Sequence, residues 1–81
     1  MAPRRARTPQ FGVYASQRVK TLRRALAPTQ EEFAARFRIP LGTVRDWEQG
    51  RSEPDQPAKA YLTVIARDPE GVERALHPVP G

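Results

Sequence analysis

TQEEFAARFRIPLGTVRDWEQG, residues 29–50, decides the fold. Thr29 stands before a helical segment and Glu32 follows three residues later, the spacing of a capping box in which each side chain serves a backbone N–H of the other. Glu31 and Glu32 suit the positive end of the helix dipole. Phe33, Ala34 and Phe37 make an inner face, and the small Ala34 lets a neighbouring helix come close. Arg38-Ile39-Pro40 is a short break. Pro40 fits the start of the next helix, where its missing N–H is not needed. That helix runs from about Leu41 to Gln49, with Val44 and Trp47 on one face and Gly50 as a left-handed cap. Two short helices joined by about three residues form a helix-turn-helix.

Outward from this core the pattern stays helical. Val19, Leu22 and Leu26 recur at i, i+3 and i+7 with basic residues between them, which predicts an amphipathic helix with Ser16 as its N-cap. Pro28 ends it, because the residue before a proline avoids the α region. Downstream, Asp55 or Gln56 opens a fourth helix with Pro57 in its first turn and Ala58, Leu62 and Ile65 facing inward. Asp68-Pro69 is a second cap-and-proline start, opening a short helix that ends near Leu76. HPVPG reads as a tail. No repeat and no useful strand-like alternation occurs. The expected architecture is all-α, a compact five-helix domain over residues 15–77, with a flexible basic N-terminal arm over 1–14 and a tail over 78–81.

The 81 residues carry a net charge of +5, unevenly spread. Residues 1–27 hold seven basic side chains and no acid, whereas 28–81 hold seven basic and nine acidic ones. That asymmetry points to nucleic acid or an acidic partner, against the plainer reading of a solvated tail. A chain this short buries only ~60% of its unfolded surface, so self-association would help it. With no cysteine there is no disulfide framework and no thiolate metal site. No apolar run approaches the ~20 residues that span a bilayer. The arginine-rich start has no apolar stretch behind it and is not read as a secretory signal. A cytoplasmic location is the expectation.

The string TQEEFAARFRIPLGTVRDWEQGRSEP resembles the Cro/CI-like, XRE-type helix-turn-helix of bacterial and phage repressors, a lambda-repressor-like fold. The elements that carry the resemblance are Leu22-Arg23, Thr29-Gln30-Glu31-Glu32-Phe33-Ala34, Val44, Trp47, Glu48 and Gly50, within residues 18–67. The wider pattern, through the WEQG, YL, IA and AL pairs toward the C-terminus, is similar to the short HigA-type antitoxins. Two departures stand out. Arg38 occupies the turn position where the family usually has glycine, a position that often needs φ > 0, and Pro28 replaces the usual Leu before Thr-Gln.

The resemblance implies roles. The exposed start of the third helix faces the major groove in this fold, which assigns Leu41, Gly42, Thr43, Arg45 and Asp46 to base readout. Arg45 suits a guanine edge, Asp46 cytosine N4 or Arg45 itself, and Leu41 a thymine methyl. Gly42 allows close approach. Gln30 is the family's phosphate position, and Arg51, Arg18 and Lys20 are further phosphate candidates. Arg23 and Glu48 are the family's structural pair, bidentate where geometry allows. Trp47 is read as core rather than as a base-stacking residue. Phe11, Val13 and Tyr14 are too apolar for a solubility tail; they pack on the domain or anchor the arm to a partner toxin. Val72, Ala75 and Leu76 form an apolar stripe that is either a dimer interface or packing on the fourth helix.

Enzyme readings fail on the residues available. The single His, His77, lies in the Pro-rich tail, Ser16 and Ser52 have no base in prospect, and no Gly-rich phosphate loop occurs. No cofactor or metal is expected. The resulting expectation is a sequence-specific repressor that binds a palindromic double-stranded operator as a homodimer. Within it, the antitoxin of a HigBA-like pair, neutralising a RelE-like mRNA-cleaving toxin, is preferred. The alternatives are a solitary phage or plasmid regulator, and a protein-interaction module without DNA readout.

Overall fold

Helix starts are set by side chains that satisfy backbone N–H groups left without intrahelical partners. In the computed structural model, which describes residues 11–77 and their side chains from Ser16 onward, five helices follow one another. They are α1 (Phe11–Leu26), α2 (Gln30–Phe37), α3 (Leu41–Gln49), α4 (Gln56–Arg67) and α5 (Pro69–Leu76). Thr29 Oγ1 accepts from the Glu32 N–H at 3.0 Å, Asp55 Oδ1 from the Ala58 N–H at 3.0 Å, and Asp68 Oδ1 from the Gly71 N–H at 3.1 Å. Caps of this kind contribute about 1 kcal/mol each. Pro57 and Pro69 sit in the first turns of α4 and α5, where no donor is lost.

The expected opening of the first helix at Ser16 is corrected: α1 starts at Phe11, and Ser16 is a buried residue inside it. Residues 11–14 therefore continue α1 rather than the arm. Pro9 is the last proline before Pro28, so nothing interrupts the backbone between them, and Gly12 falls in the first turn, where a helix tolerates it best. The rest of the expected arm, and the tail, lie outside the described residues.

The turn between α2 and α3 is closed by backbone bonds. Arg38 adopts the left-handed conformation, φ 55° and ψ 46°, and its N–H and that of Ile39 both reach the Ala34 carbonyl. A non-glycine residue there costs ~1–2 kcal/mol. Ile39 turns into the core and is 8% exposed, which offsets part of that strain. The Tyr61 hydroxyl, from α4, donates to the Phe37 carbonyl at 2.6 Å and so satisfies the end of α2. Gly50 ends α3 in the same left-handed way, φ 77°.

The core lies where α1, α2 and α3 meet and continues beneath α4. Phe33, Phe37, Val44 and Ile65 are fully buried, with Val19, Ala27, Ala34 and Trp47 beside them. The Phe33 and Phe37 rings meet tilted, with centroids 5.1 Å apart, a favourable aromatic arrangement. Trp47 is thus a core residue that helps hold α3 in place. α5 lies against α4 and α2, and Val72 packs on the core from there.

Candidate nucleic-acid interface

The site is built on one buried carboxylate. Glu48, on the last turn of α3, accepts from Arg23 Nε at 2.9 Å through Oε2 and from Arg23 Nη2 at 3.1 Å through Oε1. Gln30 Nε2, at the first position of α2, donates to the same Oε1 at 3.1 Å. Arg23 belongs to α1, so one side chain ties three helices together. The Glu48 side chain is 3% exposed and that of Arg23 12%. Burial pushes the Glu48 carboxyl up, but the Arg23 and Gln30 hydrogen bonds and the Arg23 and Lys20 charges outweigh it and hold the group below its ordinary value. The hydrogen bond to Glu48 likewise raises Arg23, against the opposing effect of its own desolvation.

This frame fixes the hairpin and leaves the start of α3 at the surface. Gly42 and Arg45 are exposed, Thr43 and Asp46 half-exposed, and the space around Gly42 is open. Leu41 divides its side chain between this face and the core, which limits what it offers a partner. Arg45 Nη2 donates to Glu31 Oε2 at 3.3 Å, and Arg51 Nη1 lies 3.8 Å from Asp46 Oδ1. Gln30 spends one of its two amide N–H bonds on Glu48, so its expected phosphate contact falls to the other one and to the backbone of the first turn of α2. Lys20 is half-buried and close enough to act on Glu48, whereas Arg18 is exposed on α1.

Other expected residues are dispersed. Phe11, Val13 and Tyr14 lie on the first turn of α1, with their side chains outside the described ones. Of the apolar stripe on α5, Val72 is taken up by the core, Leu76 is half-buried and Ala75 exposed, so much of it is intrachain packing.

Three features are absent from the sequence reading. Arg36 donates through Nε and Nη2 to Glu73 Oε1 at 3.2 and 2.9 Å and through Nη1 to the Leu26 carbonyl, and its guanidinium stands 5.0 Å over the Phe37 ring. It joins the end of α1 to α2 and α5. His77, expected in a tail, caps α5, and its Nε2 is 3.0 Å from the Arg36 carbonyl, so that nitrogen carries the proton. Glu31, read only as a dipole partner, also holds Arg45. Sequence spacing carries no signal for any of these, because each joins separate helices. Among the described residues no cluster of His, Asp or Glu is placed to hold a metal ion, and no helix is long and apolar enough to cross a membrane.

The same fold is found in the crystal structure of a "HTH XRE-family like protein" from Agrobacterium tumefaciens, superposing with a TM-score of 0.71. The two sequences are 72% identical over an alignment that covers 74% of this chain and 97% of that one. No protein-family model and no curated protein matches the chain.

Proposed function

Since the chain belongs to the XRE helix-turn-helix family, whose members are DNA-binding regulators rather than enzymes, we propose that it is a repressor that reads a specific duplex through α3. The observation that carries this reading is the exposed Gly42-Thr43-Arg45-Asp46 surface on a hairpin locked from beneath by the Arg23–Glu48–Gln30 network. Arg45 takes a guanine edge, Thr43 a base or phosphate, and Asp46 a cytosine amine or Arg45 itself. Leu41 touches a thymine methyl with whatever part of it remains free. Arg51, Arg18, Lys20 and Gln30 bind phosphate and fix register without reading sequence. Two copies on a two-fold operator place their third helices in successive major grooves. Ala75 and Leu76 are the part of α5 left for contact between copies.

Selection of bound duplexes from a random pool tests the reading. One enriched sequence is expected. On it Arg45→Ala loses ~1–3 kcal/mol with little loss on random duplex, whereas Arg51→Ala weakens both alike and flattens the salt slope by about one unit. Equal losses on both duplexes for Arg45→Ala would remove it from base readout.

The finer reading is an antitoxin of the HigBA-like kind, carried by the resemblance of residues 18–76 to the short HigA-type chains. Its partner is a RelE-like toxin, and residues 1–14 supply the grip, with Phe11, Val13 and Tyr14 as the anchors. The test is co-expression with such a toxin encoded beside this chain, using the full protein, one lacking residues 1–10, which leaves α1 whole, and one with Phe11→Ala, Val13→Ala and Tyr14→Ala together. Rescue of growth that requires the arm or these anchors supports it. Repression without any rescue leaves a solitary regulator.

A further inference from the structure

We propose that Glu31 is a positioning residue for readout by Arg45: it holds the guanidinium at the groove-facing side of α3 and stays paired with it when Arg45 meets a base. This rests on the reading of α3 as the recognition helix. The pair spans the hairpin, with Glu31 on α2 and Arg45 on α3, at 3.3 Å. Glu31 is itself on a firm mount. It occupies the first turn of α2, where the helix dipole favours a carboxylate, and α2 is anchored on either side by Gln30 to Glu48 and by the fully buried Phe33.

The contact uses a single nitrogen of a guanidinium that presents five N–H donors in a planar fork. A two-donor edge remains, and that is what the O6 and N7 atoms of guanine require. Both side chains are largely in solvent, 48% exposed for Arg45 and 63% for Glu31, so the pair adds little to folding. Its effect falls on binding. A long side chain already held near its bound position has less rotamer freedom to lose, which is equivalent to about three- to ten-fold in affinity. The same carboxylate repels phosphate and so lowers affinity for any DNA. That repulsion acts on the phosphates of every duplex alike, so it is the positioning of Arg45 that raises the preference for the right sequence. Arg51 provides the contrast: 71% exposed and 3.8 Å from Asp46, its side chain makes no hydrogen bond among the described residues, as suits a cation that meets phosphate on any sequence.

The test compares affinities for the selected duplex and a random duplex across a range of salt. The proteins are wild type, Glu31→Ala, Glu31→Gln and the matched charge loss Glu32→Ala, with Glu31→Ala also made in the Arg45→Ala background. Circular dichroism checks that each is folded. Glu31→Ala should lower the selected-to-random ratio about three- to ten-fold. Glu31→Gln, which keeps an acceptor without the charge, should recover part of it. Glu32→Ala should leave the ratio intact, and so should Glu31→Ala once Arg45 is gone. An unchanged ratio in Glu31→Ala, or an equal fall in Glu32→Ala or in the Arg45→Ala background, overturns the proposal while the recognition-helix reading stands. A wild type that enriches no sequence overturns that reading, and this one with it.

Discussion

Replacing one partner of the Arg23–Glu48 pair should cost far more than replacing both. Arg23 and Glu48 share two hydrogen bonds at 2.9 and 3.1 Å, and Gln30 adds a third at 3.1 Å, in a site where the side chains are 12% and 3% exposed. Glu48→Leu leaves a guanidinium that cannot deprotonate, with little access to water, and strands one Gln30 N–H. Breaking a buried pair in this way costs ~3–5 kcal/mol. Against a total of about 0.05–0.15 kcal/mol per residue, that is much of the stability of a chain of this size. Arg23→Met strands the carboxylate instead, but a carboxylate can take up a proton. Arg23→Met with Glu48→Leu removes both charges and fills the space, so it should sit within ~2 kcal/mol of wild type. Urea unfolding followed by circular dichroism gives the cycle. Coupling of at least ~2 kcal/mol is expected; additive single losses would refute the account.

The pair also fixes the sign of a pH dependence. In wild type the folded carboxyl lies below its unfolded value, so its contribution is present above ~pH 4.3 and is lost as pH falls through the folded pKa. In Arg23→Met only the Gln30 hydrogen bond and the Lys20 charge still oppose burial, so the folded pKa rises from its wild-type position. The acid loss of stability below ~pH 4.3 should therefore be smaller in that variant than in wild type.

The remaining predictions concern the α2 turn. Arg38→Gly should stabilise the fold by up to ~1 kcal/mol, since φ 55° is free to glycine, less what the more flexible unfolded chain takes back; a lower melting temperature would mean that the Arg38 side chain contributes more than its backbone costs. Tyr61→Phe should lose ~1–2 kcal/mol with its bond to the Phe37 carbonyl, read as a shift in denaturation midpoint at constant m-value. Burial raises the Tyr61 pKa, so this tyrosine stabilises the fold below its unfolded value near ~10 and ceases to do so as pH rises through the folded one. Loss of stability in alkali should therefore be shallower in Tyr61→Phe.

What the sequence disclosed were features whose cause lies within a few residues. Thr29, Asp55 and Asp68 cap N–H groups three residues away, and Gly50 ends α3 through its own backbone freedom, so spacing alone locates them. The left-handed Arg38 was legible because the resemblance marks that position for glycine. The start of α1 was not: the apolar period begins at Val19, and Ser16 just before it imitates a cap although it lies inside the helix. Arg36 was opaque for a different reason. Its partners Leu26 and Glu73 are ten and thirty-seven residues away, and an arginine on an amphipathic helix looks solvated until the fold brings a carbonyl and a carboxylate to it. The Glu31–Arg45 pair was hidden in the same way.

The position of Glu48 links stability to recognition. Gln30 opens α2 and the carboxylate closes α3, so the network sets the angle between the two helices that the proposed interface uses. Glu31 is the next residue after Gln30, and its reach to Arg45 depends on where that first turn sits. A variant that frees Gln30, such as Glu48→Leu, therefore acts twice: it unfolds a fraction of the molecules and loosens the mount of Glu31 in those that remain folded. Loss of folded protein lowers affinity for every duplex by one factor. A looser mount lowers only the preference for the selected sequence. The two consequences separate once affinity is corrected for the folded fraction, and a residual fall in preference would show that the buried carboxylate serves the surface as well as the core.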